Sequence, residues 1–295
     1  MRIQPNRFDP RQEMQYPDYE LQYKQDAYLK DVALHHHDFF EIYFLLSGDV
    51  TYLIESRICR IMPGDLLLIS PRELHQVCIQ PEMSVYERYV LWVDPQLITR
   101  LSTTHTDLLL GLDSSHPDFG NQLRLKPEDR STIQQLMEAL YREAQNPGYA
   151  SDLLRESLLI QLLVTINRLA YQEDSYCDMD TGTSQAVSQV INYVNSHYAE
   201  PLSLDLLAEK VYVSKYHLSH EFHRQVGTSV HRFIQKKRLL AARQLLSQGR
   251  KPSEVYSACG FGDYVGFYRA FRSEYGCAPR EYAYSVRQRS QERDE

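Results

Sequence analysis

Short apolar runs separated by turn residues dominate the chain between about Leu34 and Val93. Four of these runs have the length of strands and are rich in aromatic and β-branched residues; they span 41–46, 50–54, 65–70 and 85–93. Turn-forming residues such as Gly48 and Pro63-Gly64 separate them. Because no helical segment lies between the runs, the pattern predicts an all-β unit, a small barrel, rather than alternating strands and helices.

Helical periodicity replaces the strand pattern after these runs. Pro127 suits the first turn of a helix, and one buried face follows at the i, i+3, i+4 and i+7 spacing: Ile133, Leu136, Met137 and Leu140. A second helix is predicted over 151–171, with leucines on more than one face. Such a helix either packs on its own domain and on a second subunit or only caps the barrel, and the pattern supports both interpretations equally.

The chain is long enough for two domains, because 295 residues exceed what one hydrophobic core usually serves. Residues 173–184 lose the periodicity and are acidic, small and polar, which is typical of a linker. We therefore expect a first domain at 1–172 and a second domain at 185–288. An amphipathic helix opens the second domain and ends before Pro201.

The second domain contains the same helix-turn-helix pattern twice. Capping and terminating residues mark each copy: Ser203, Ser214 and Gly227 in the first, and Pro252, Asp263 and Gly276 in the second. A long helix over 229–248 separates the copies, and at roughly 1.5 Å per residue it is about 30 Å long. That length is close to one turn of DNA, ~34 Å, so two helices held by it can enter successive major grooves of one duplex.

The second helix of each copy has an inner and an outer face. Leu218 and Phe222 lie four residues apart and face inward in the first copy, as do Phe267 and Phe271 in the second. The outer faces carry Lys215, Tyr216, Ser219, His220 and His223 in the first copy, and Tyr264, Val265, Tyr268, Arg269 and Arg272 in the second. A polar helix face is usually only solvated, but the repetition of the whole pattern favours entry into a major groove.

The distribution of charge supports this division. The net charge of −7 argues against a nucleic-acid partner, but residues 1–184 carry 16 basic and 28 acidic side chains, while residues 185–295 carry 16 and 11. The balance is thus −12 in the first part and +5 in the second. This asymmetry fits a polyanion-binding module joined to an acidic domain; a solvated basic face is the alternative.

Other features narrow the class of protein. The longest apolar stretches are far shorter than the ~20 residues that a membrane-spanning helix needs, and the start of the chain lacks the apolar segment of a secretion signal. We therefore expect a cytoplasmic protein without a membrane partner. The five cysteines form no C-x-x-C pair, so we expect reduced thiols rather than a metal or redox site.

The second domain resembles the DNA-binding domain of the AraC/XylS family of transcription regulators over about 100 positions. The matching segments are Leu207-Ala208, Ser214 to Phe222, Arg238 to Ala242, Gly260 to Arg272, Gly276 to Pro279 and Glu281-Tyr282. The match is specific because it includes two motifs and their separation. The chain departs from the family pattern at Tyr256, Val265 and Gly266. Because a glycine inside a helix costs up to ~1 kcal/mol relative to alanine, we expect weaker base reading by the second motif.

The resemblance implies a role for the outer residues. Base edges would be contacted by Tyr216, Ser219, His220, Tyr264, Val265 and Arg269, and phosphates by Lys215, Arg224 and Arg272. Arg269 has an alternative role as a structural ion-pair partner, and for Arg238 an internal salt bridge is preferred over a DNA contact. The implied partners are double-stranded DNA, a second copy of the chain in a homodimer, and RNA polymerase.

The predicted barrel resembles the cupin barrel at two motifs. Residues His35 to Gly48 read H-x-H-x3-E-x6-G, which is similar to the first cupin motif. Pro63-Gly64-Asp65 followed by His75 is similar to the second motif, with Glu73 in place of its glycine. The resemblance implies that these histidines and the first-motif glutamate meet inside the barrel.

Three interpretations of this segment remain open: a metal site, a pocket for a small molecule, and structural histidines at the mouth of the barrel. The polar candidates are His35, His37, Glu41 and His75, and in metal-binding cupins the matching positions hold Fe, Mn, Zn or Ni. The sensor domains of the AraC/XylS family commonly keep a similar segment without a metal. A pocket for a small polar effector such as a sugar, with no metal or cofactor, is therefore preferred. Aromatic faces for a sugar ring would come from Tyr43, Tyr52, Tyr89 and Trp92.

The sequence thus predicts an α+β protein: an N-terminal cupin-like β-barrel with flanking helices, and a C-terminal all-α domain of two helix-turn-helix motifs joined by a long helix. We expect a sequence-specific DNA-binding transcription regulator that responds to a small effector and is not an enzyme. The alternatives are a metal-dependent cupin enzyme fused to a DNA-binding domain and a dimeric regulator without an effector. The operator, the identity of the effector and the direction of the transcriptional effect stay open.

Overall fold

A computed structural model gives the fold of this chain. It describes residues 12–26, 32, 34–55, 57–71, 73–79, 85–114, 116, 119–172 and 184–294. The chain divides into two compact units, Met1–Asp180 and Thr181–Glu295. Of the predicted linker, residues 173–183 lie outside the described residues, and Ser184 is the N-cap of the first helix of the second unit.

Two antiparallel sheets form the centre of the first unit. The strands are Tyr19–Asp26 (β1), Phe40–Ser47 (β2), Val50–Ile54 (β3), Arg57–Ile61 (β4), Leu66–Ile69 (β5), His75–Ile79 (β6), Tyr86–Val93 (β7) and Gln122–Leu123 (β8). One sheet has five strands in the order β1-β7-β2-β5-β8, and the other has three in the order β4-β3-β6. This antiparallel arrangement confirms the all-β character expected of the segment.

The two sheets pack face to face, and alternate side chains of their strands fill the space between them. We call this space the inner core. On β2, Tyr43 and Leu45 belong to the inner core, whereas Ile42 and Phe44 lie in a second core on the other face of the five-stranded sheet. The five-stranded sheet is therefore buried on both faces.

Helices cover the outer face of the five-stranded sheet. They are α1 at Pro95–Leu101, α2 at Pro127–Gln145 and α3 at Ser151–Ala170, with a short 3-10 helix at Leu110–Leu112. The inner sides of α2 and α3 pack with the sheet in one apolar cluster. The opposite side of α3 keeps apolar residues at the surface, since Leu153 and Leu154 are 64% and 47% exposed.

Predicted elements with clear periodicity are confirmed: β2, β3, β5, β7 and α3 agree to within two residues at both ends, and α2 begins at the predicted Pro127. Four strands were not predicted from the sequence: β1, β4, β6 and β8. Each of these four strands lies at the edge of its sheet. An edge strand tolerates polar side chains, as the sequences YELQYKQD of β1 and RICRI of β4 illustrate, and its alternation is correspondingly weak.

Helices alone form the described part of the second unit. They are α4 at Gln185–His197, α5 at Leu204–Lys210, α6 at Lys215–Val226, α7 at Val230–Ser247, α8 at Pro252–Ala258, α9 at Tyr264–Tyr275 and α10 at Pro279–Asp294. The predicted caps Ser203, Ser214 and Asp263 are confirmed, because each side chain accepts a backbone N–H hydrogen bond at the start of its helix. In the described residues of either unit, no helix is both long and apolar enough to cross a membrane.

The long helix α7 packs against α4, α6, α8, α9 and α10. The apolar pattern of the 229–248 segment predicts Ala241 and Leu245 on the buried stripe of this helix, but both are only partly buried and the stripe ends one position later, on Ala242 and Leu246. The difference arises because the 3.6-residue period moves the buried stripe around the helix over its length. α7 is thus the common packing partner of both helix-turn-helix motifs.

Arg238 on α7 bonds within its own unit, but to backbone carbonyls and not to the acidic partner of the predicted salt bridge. Its guanidinium donates hydrogen bonds of 2.8 Å to the carbonyl oxygens of Tyr198 and Glu200, just beyond the end of α4. These carbonyls have no partner within the helix, so Arg238 acts as a side-chain cap that ties α4 to α7.

Candidate functional site

In each helix-turn-helix motif, the turn between the two helices contains one residue in the left-handed conformation. In the first motif this residue is Tyr212, which has a φ of 55° and is 95% exposed. In the second motif it is Gly260, with a φ of 80°. A glycine adopts this conformation at lower cost than a tyrosine, so the first turn carries backbone strain that the second does not.

Helix α6 is anchored on one side and open on the other. Leu218, Phe222 and Val226 are fully buried, and the ring of Phe222 packs edge-on against Phe233 of α7 with centroids 5.6 Å apart. Every residue of α6 that was predicted to contact DNA is exposed: Lys215, Tyr216, Ser219, His220, His223 and Arg224. The polar face of α6 is therefore accessible to a ligand.

Two basic residues of α6 already have acidic partners. Arg224 donates two hydrogen bonds to the Glu221 carboxylate, at 3.2 Å from Nε and 2.6 Å from Nη2. This guanidinium lowers the pKa of Glu221 to about 2, so the carboxylate is ionised. Lys215 Nζ lies 3.1 Å from Asp205 Oδ1. Surface ion pairs of this kind contribute little to stability, so a phosphate group can replace the carboxylates.

Helix α9 repeats the arrangement of α6. Phe267 and Phe271 are fully buried and pack against each other with ring centroids 5.6 Å apart. Of the predicted contact residues, Tyr264, Val265, Arg269 and Arg272 are exposed and Tyr268 is half-buried. Arg269 makes no ion pair with any residue that the structure describes. Its guanidinium is thus available to a ligand.

In the first unit, three of the four cupin-motif candidates come together. His37, Glu41 and His75 are buried, and their ligand atoms lie within 4.8 Å of one another. His37 Nε2 is 3.3 Å from Glu41 Oε2. The fourth candidate, His35, is adjacent, because it pairs with His75 through two backbone hydrogen bonds and the two ring centroids are 4.1 Å apart.

The elements that position these groups belong to both sheets. Glu41 lies on β2 directly opposite Trp92 on β7, and the Trp92 indole N–H donates a hydrogen bond of 2.9 Å to Glu41 Oε2. His75 opens β6 in the three-stranded sheet. The cluster therefore spans the space between the two sheets.

Burial and mutual contacts set the charges in this cluster. Burial by itself would raise the pKa of Glu41, but the adjacent His37, together with His75 and His35, lowers it well below its ordinary value. Burial, followed by the nearby His37, lowers the pKa of His75 to about 4. At neutral pH, Glu41 is consequently a carboxylate and His75 a neutral imidazole.

A second polar group in the inner core consists of tyrosines and an arginine. The Tyr43 hydroxyl donates to the Tyr86 hydroxyl at 2.6 Å, and the Tyr52 hydroxyl lies 3.4 Å from the same oxygen. The Arg88 guanidinium lies 3.9 Å from the Tyr86 ring centroid and pairs with Asp26 at 2.6 Å. These groups satisfy one another's hydrogen bonds inside the barrel, as buried polar groups require.

Of the aromatic residues predicted for a sugar site, Tyr89 lies on the wrong face of its strand and Trp92 is covered. Tyr89 packs beside Tyr23 in the second core, on the helix-covered face of the five-stranded sheet. Side chains alternate along a strand, so Tyr89 and Trp92 on β7 point to opposite faces. The Trp92 ring is itself covered by two side chains. The Phe39 ring centroid lies 4.7 Å from that of Trp92, and Lys24 Nζ lies 5.5 Å from the Trp92 ring centroid. A sugar stacking on Trp92 would have to displace one of these groups.

Tyr86 and Arg88 were not predicted as inner-core residues. The signal for them was present, because counting in steps of two from Trp92 along β7 reaches both. Lys24 and Asp26 gave no such signal, since β1 was not recognised as a strand.

The fold and its two exposed helix faces define a class of protein: a DNA-binding transcription regulator with a separate ligand-binding domain. Comparison with protein families supports this class for both units. Residues 20–163 match the AraC-like ligand binding domain, and residues 207–285 match a helix-turn-helix domain. The chain belongs to the AraC family of transcription regulators.

Individual relatives are similar over most of this chain. The uncharacterized HTH-type transcriptional regulator YbfI of Bacillus subtilis (strain 168) is 27% identical over 242 residues, which are 82% of this chain and 83% of YbfI. The HTH-type transcriptional activator RhaS of Escherichia fergusonii is 25% identical over 248 residues, 84% of this chain and 86% of RhaS. The solved structure of unsaturated fatty acid bound ToxT from Vibrio cholerae strain SCE256 covers 92% of this chain and 97% of ToxT, with 14% identity and a TM-score of 0.38.

Proposed function

We propose that this regulator reads DNA with α6 and α9 together, each through its exposed polar face. One observation carries the proposal: both helices combine a fully buried apolar side with an uncovered polar side, and both follow a tight turn within one compact unit. A major groove about 12 Å wide admits one such helix. The excess of basic residues in the second part of the chain adds long-range attraction to phosphates.

The exposed residues divide into two roles in this proposal. Base edges are contacted by Tyr216, Ser219, His220, Tyr264, Val265 and Arg269; phosphates are contacted by Lys215, Arg224 and Arg272; His223 and Tyr268 flank the contact surface. Arg269 is the strongest base-reading candidate, because a free guanidinium can donate two hydrogen bonds to one guanine. Lys215 and Arg224 exchange a carboxylate partner for a phosphate oxygen, so they contribute affinity rather than specificity.

These roles predict different effects of substitution. The full-length protein first selects its preferred sites from a random duplex library, and affinity for selected and scrambled duplexes is then measured by fluorescence anisotropy at several salt concentrations. Arg269→Ala and His220→Ala should each reduce the ratio of specific to non-specific affinity by about 5–150-fold, equivalent to ~1–3 kcal/mol. Lys215→Ala should weaken both duplexes alike and reduce the salt slope by about 1.

Arg280 provides the matched control. It is exposed on α10 of the same unit, so Arg280→Ala removes the same charge as Arg269→Ala without touching either recognition helix. We expect its ratio of specific to non-specific affinity to stay within twofold of the wild type. Equal losses on selected and scrambled DNA for Arg269→Ala, His220→Ala and Lys215→Ala would contradict the assigned roles.

We also propose that the first unit binds a small polar effector in its inner core, a sugar being the preferred class. The supporting residues combine hydrogen-bonding groups with aromatic rings: His35, His37, Glu41, Tyr43, Tyr52, His75, Arg88 and Trp92. Because Tyr43 and Tyr52 are hydrogen-bonded to Tyr86 or lie near its hydroxyl, an effector has to replace these contacts with its own. Its regulatory effect then comes from unequal affinity for the two states of the protein.

The packing of the inner core also favours a second candidate, a regulator that works without an effector. Side chains from both sheets fill this space. A thermal-shift screen of the full-length protein against sugars, followed through Trp92 fluorescence, separates the candidates. A bound sugar at about 100 times its Kd should stabilise the first unit by ~2.7 kcal/mol. If no sugar shifts the transition, the effector proposal is wrong and the DNA-binding proposal stands unchanged.

A homodimer and a contact with RNA polymerase complete the proposed function. The exposed Leu153 and Leu154 of α3 support self-association, because apolar residues clustered at a surface commonly mark an interface. RhaS is named an activator, which supports activation of transcription by this chain as well.

A further inference from the structure

Two buried histidines and a buried glutamate meet in the first unit, and one nitrogen of each histidine ring lacks a hydrogen-bond partner among the described residues. His37, Glu41 and His75 are 1%, 6% and 1% exposed, and their ligand atoms lie within 4.8 Å of one another. The buried Nε2 atoms of both histidines have no hydrogen-bond partner among the residues that the structure describes. Buried polar atoms are normally satisfied, so this group needs a further explanation.

The hydrogen bonds on the far side of each ring define which nitrogen carries the proton. His37 Nδ1 lies 2.8 Å from the carbonyl oxygen of Phe39, and His75 Nδ1 lies 2.9 Å from that of Glu73. A carbonyl oxygen only accepts, so each Nδ1 bears the hydrogen. In a neutral ring, Nε2 then presents a lone pair, and both lone pairs lie close to the Glu41 carboxylate.

A negative carboxylate and two imidazole lone pairs repel one another unless a positive charge lies among them. A proton on His37 Nε2 would satisfy the 3.3 Å contact with Glu41 but would leave His75 Nε2 without a donor. A single cation bound by all three atoms satisfies the whole group. The Trp92 indole N–H, 2.9 Å from Glu41 Oε2, holds the carboxylate in place for this purpose.

We propose that His37, Glu41 and His75 bind a divalent first-row transition-metal ion of the Zn²⁺ or Fe²⁺ class. Two imidazoles and one carboxylate suit these ions, whereas Ca²⁺ and Mg²⁺ prefer oxygen ligands alone. Backbone carbonyls on both Nδ1–H groups and an indole on the carboxylate are the outer contacts that orient metal ligands. The proposal deepens the effector site, and it rests on the proposed function only for the regulatory consequence of binding.

The location of the three ligands gives the ion a structural effect. Glu41 belongs to β2 of the five-stranded sheet and His75 to β6 of the three-stranded sheet. A bound ion therefore joins the two sheets. Because it binds the folded unit and not the unfolded chain in this geometry, it should raise the unfolding temperature of the first unit.

Trp92 makes the proposal directly measurable. It is the only tryptophan in the chain, and its indole touches the proposed ligand Glu41. Metal-free full-length protein is titrated with Co²⁺ or Ni²⁺, which quench nearby fluorophores. We expect saturable quenching with one ion per chain, reversed by Zn²⁺ through competition. Quenching that does not saturate, or that Zn²⁺ does not reverse, would overturn the proposal.

Variants locate the binding site. Glu41→Gln and His75→Gln should each weaken Zn²⁺ binding more than about 100-fold, and Trp92→Phe, read with a chromophoric chelator, should weaken it about 10–100-fold through loss of the outer contact. The control His105→Gln removes an exposed histidine of the same unit and should bind like the wild type. Equal affinity in all variants would place the ion elsewhere and refute the assignment.

Wild-type measurements keep the test decisive if a variant does not fold. The visible absorption of the Co²⁺ complex should show nitrogen and oxygen ligands in a low-symmetry site and should disappear when Zn²⁺ is added; a spectrum of hexaaquo Co²⁺ would contradict the proposal. DNA affinity is measured in parallel on metal-free protein. If the protein binds DNA with sequence preference but binds no metal, only the metal site is rejected. If the metal-loaded protein shows no sequence preference, only the proposed function is rejected.

Discussion

Gly260 shows how one residue connects the second motif to the rest of its unit. Its backbone lies in the left-handed region, with a φ of 80°. A Cβ atom added there would lie 2.6 Å from the carbonyl oxygen of Ala199, a backbone atom between α4 and α5. The position therefore excludes a side chain for two independent reasons, conformation and space.

Gly260→Ala should lower the free energy of unfolding of the second unit by about 2 kcal/mol or more, because alanine pays for the left-handed conformation and clashes with Ala199. The neighbouring Gly262 is the control. A Cβ atom there meets nothing within 4 Å, so Gly262→Ala should stay within about 0.5 kcal/mol of the wild type.

Urea unfolding of the full-length variants distinguishes the two units. Far-ultraviolet circular dichroism reports the helices of both units, while Trp92 fluorescence follows the first unit alone, so a change seen only by circular dichroism belongs to the second unit. Gly260→Ala should shift the former transition and leave the latter in place. If it instead shifted neither, the close approach to Ala199 would not exist in solution.

At the scale of a single element, α9 contains a residue that weakens it. Gly266 is exposed in the first turn of the helix, and its N–H donates a 2.7 Å hydrogen bond to the Asp263 cap. An added Cβ atom would lie 3.4 Å from the Asp263 carboxylate, which is ordinary contact. Alanine therefore fits at this position without loss of the cap.

Gly266→Ala should stabilise the second unit by about 0.5–1 kcal/mol, because alanine loses less conformational freedom than glycine when a helix forms. The measurement is thermal unfolding followed by circular dichroism at 222 nm. DNA preference should be retained, since the polar face of α9 is unchanged. A lower unfolding temperature would mean that the glycine serves the turn rather than the helix.

At the scale of the whole molecule, the chain is two units with separate cores. In the second unit, Phe222, Phe233, Phe267 and Phe271 are fully buried among helices of that unit. In the first unit, the sheets and helices bury their own apolar residues. The side chains that anchor the recognition helices therefore belong to the core of the second unit.

Residues 184–295 produced alone should consequently fold and keep the DNA sequence preference of the full chain. Affinity should be lower for paired sites, because a monomeric fragment loses the effective concentration that a dimer supplies. Circular dichroism and anisotropy on selected and scrambled duplexes provide the check. A fragment that is unfolded, or folded without sequence preference, would show that the first unit is needed to build the DNA-binding surface.

Elements whose signals are local can be predicted from the sequence. The caps Ser203, Ser214 and Asp263 and the paired anchors of α6 and α9 could be recognised, because capping and helical periodicity depend on residues only a few positions apart. The edge strands β1, β4, β6 and the two-residue β8 could not, because polar residues at an edge remove the alternation and β8 is too short to show one.

The duplicated motif and the charge difference between the two parts can be read from the amino-acid sequence. The resemblance to the cupin motifs also predicts one candidate group, His35, His37, Glu41 and His75. The tertiary structure alone decided that Trp92 holds the Glu41 carboxylate, that Tyr89 faces away and that Tyr86 and Arg88 complete the inner core. The physical reason is that such contacts depend on strand pairing and register between distant segments. A shift of one residue would reverse every side chain on a strand, and no local pattern reports that register.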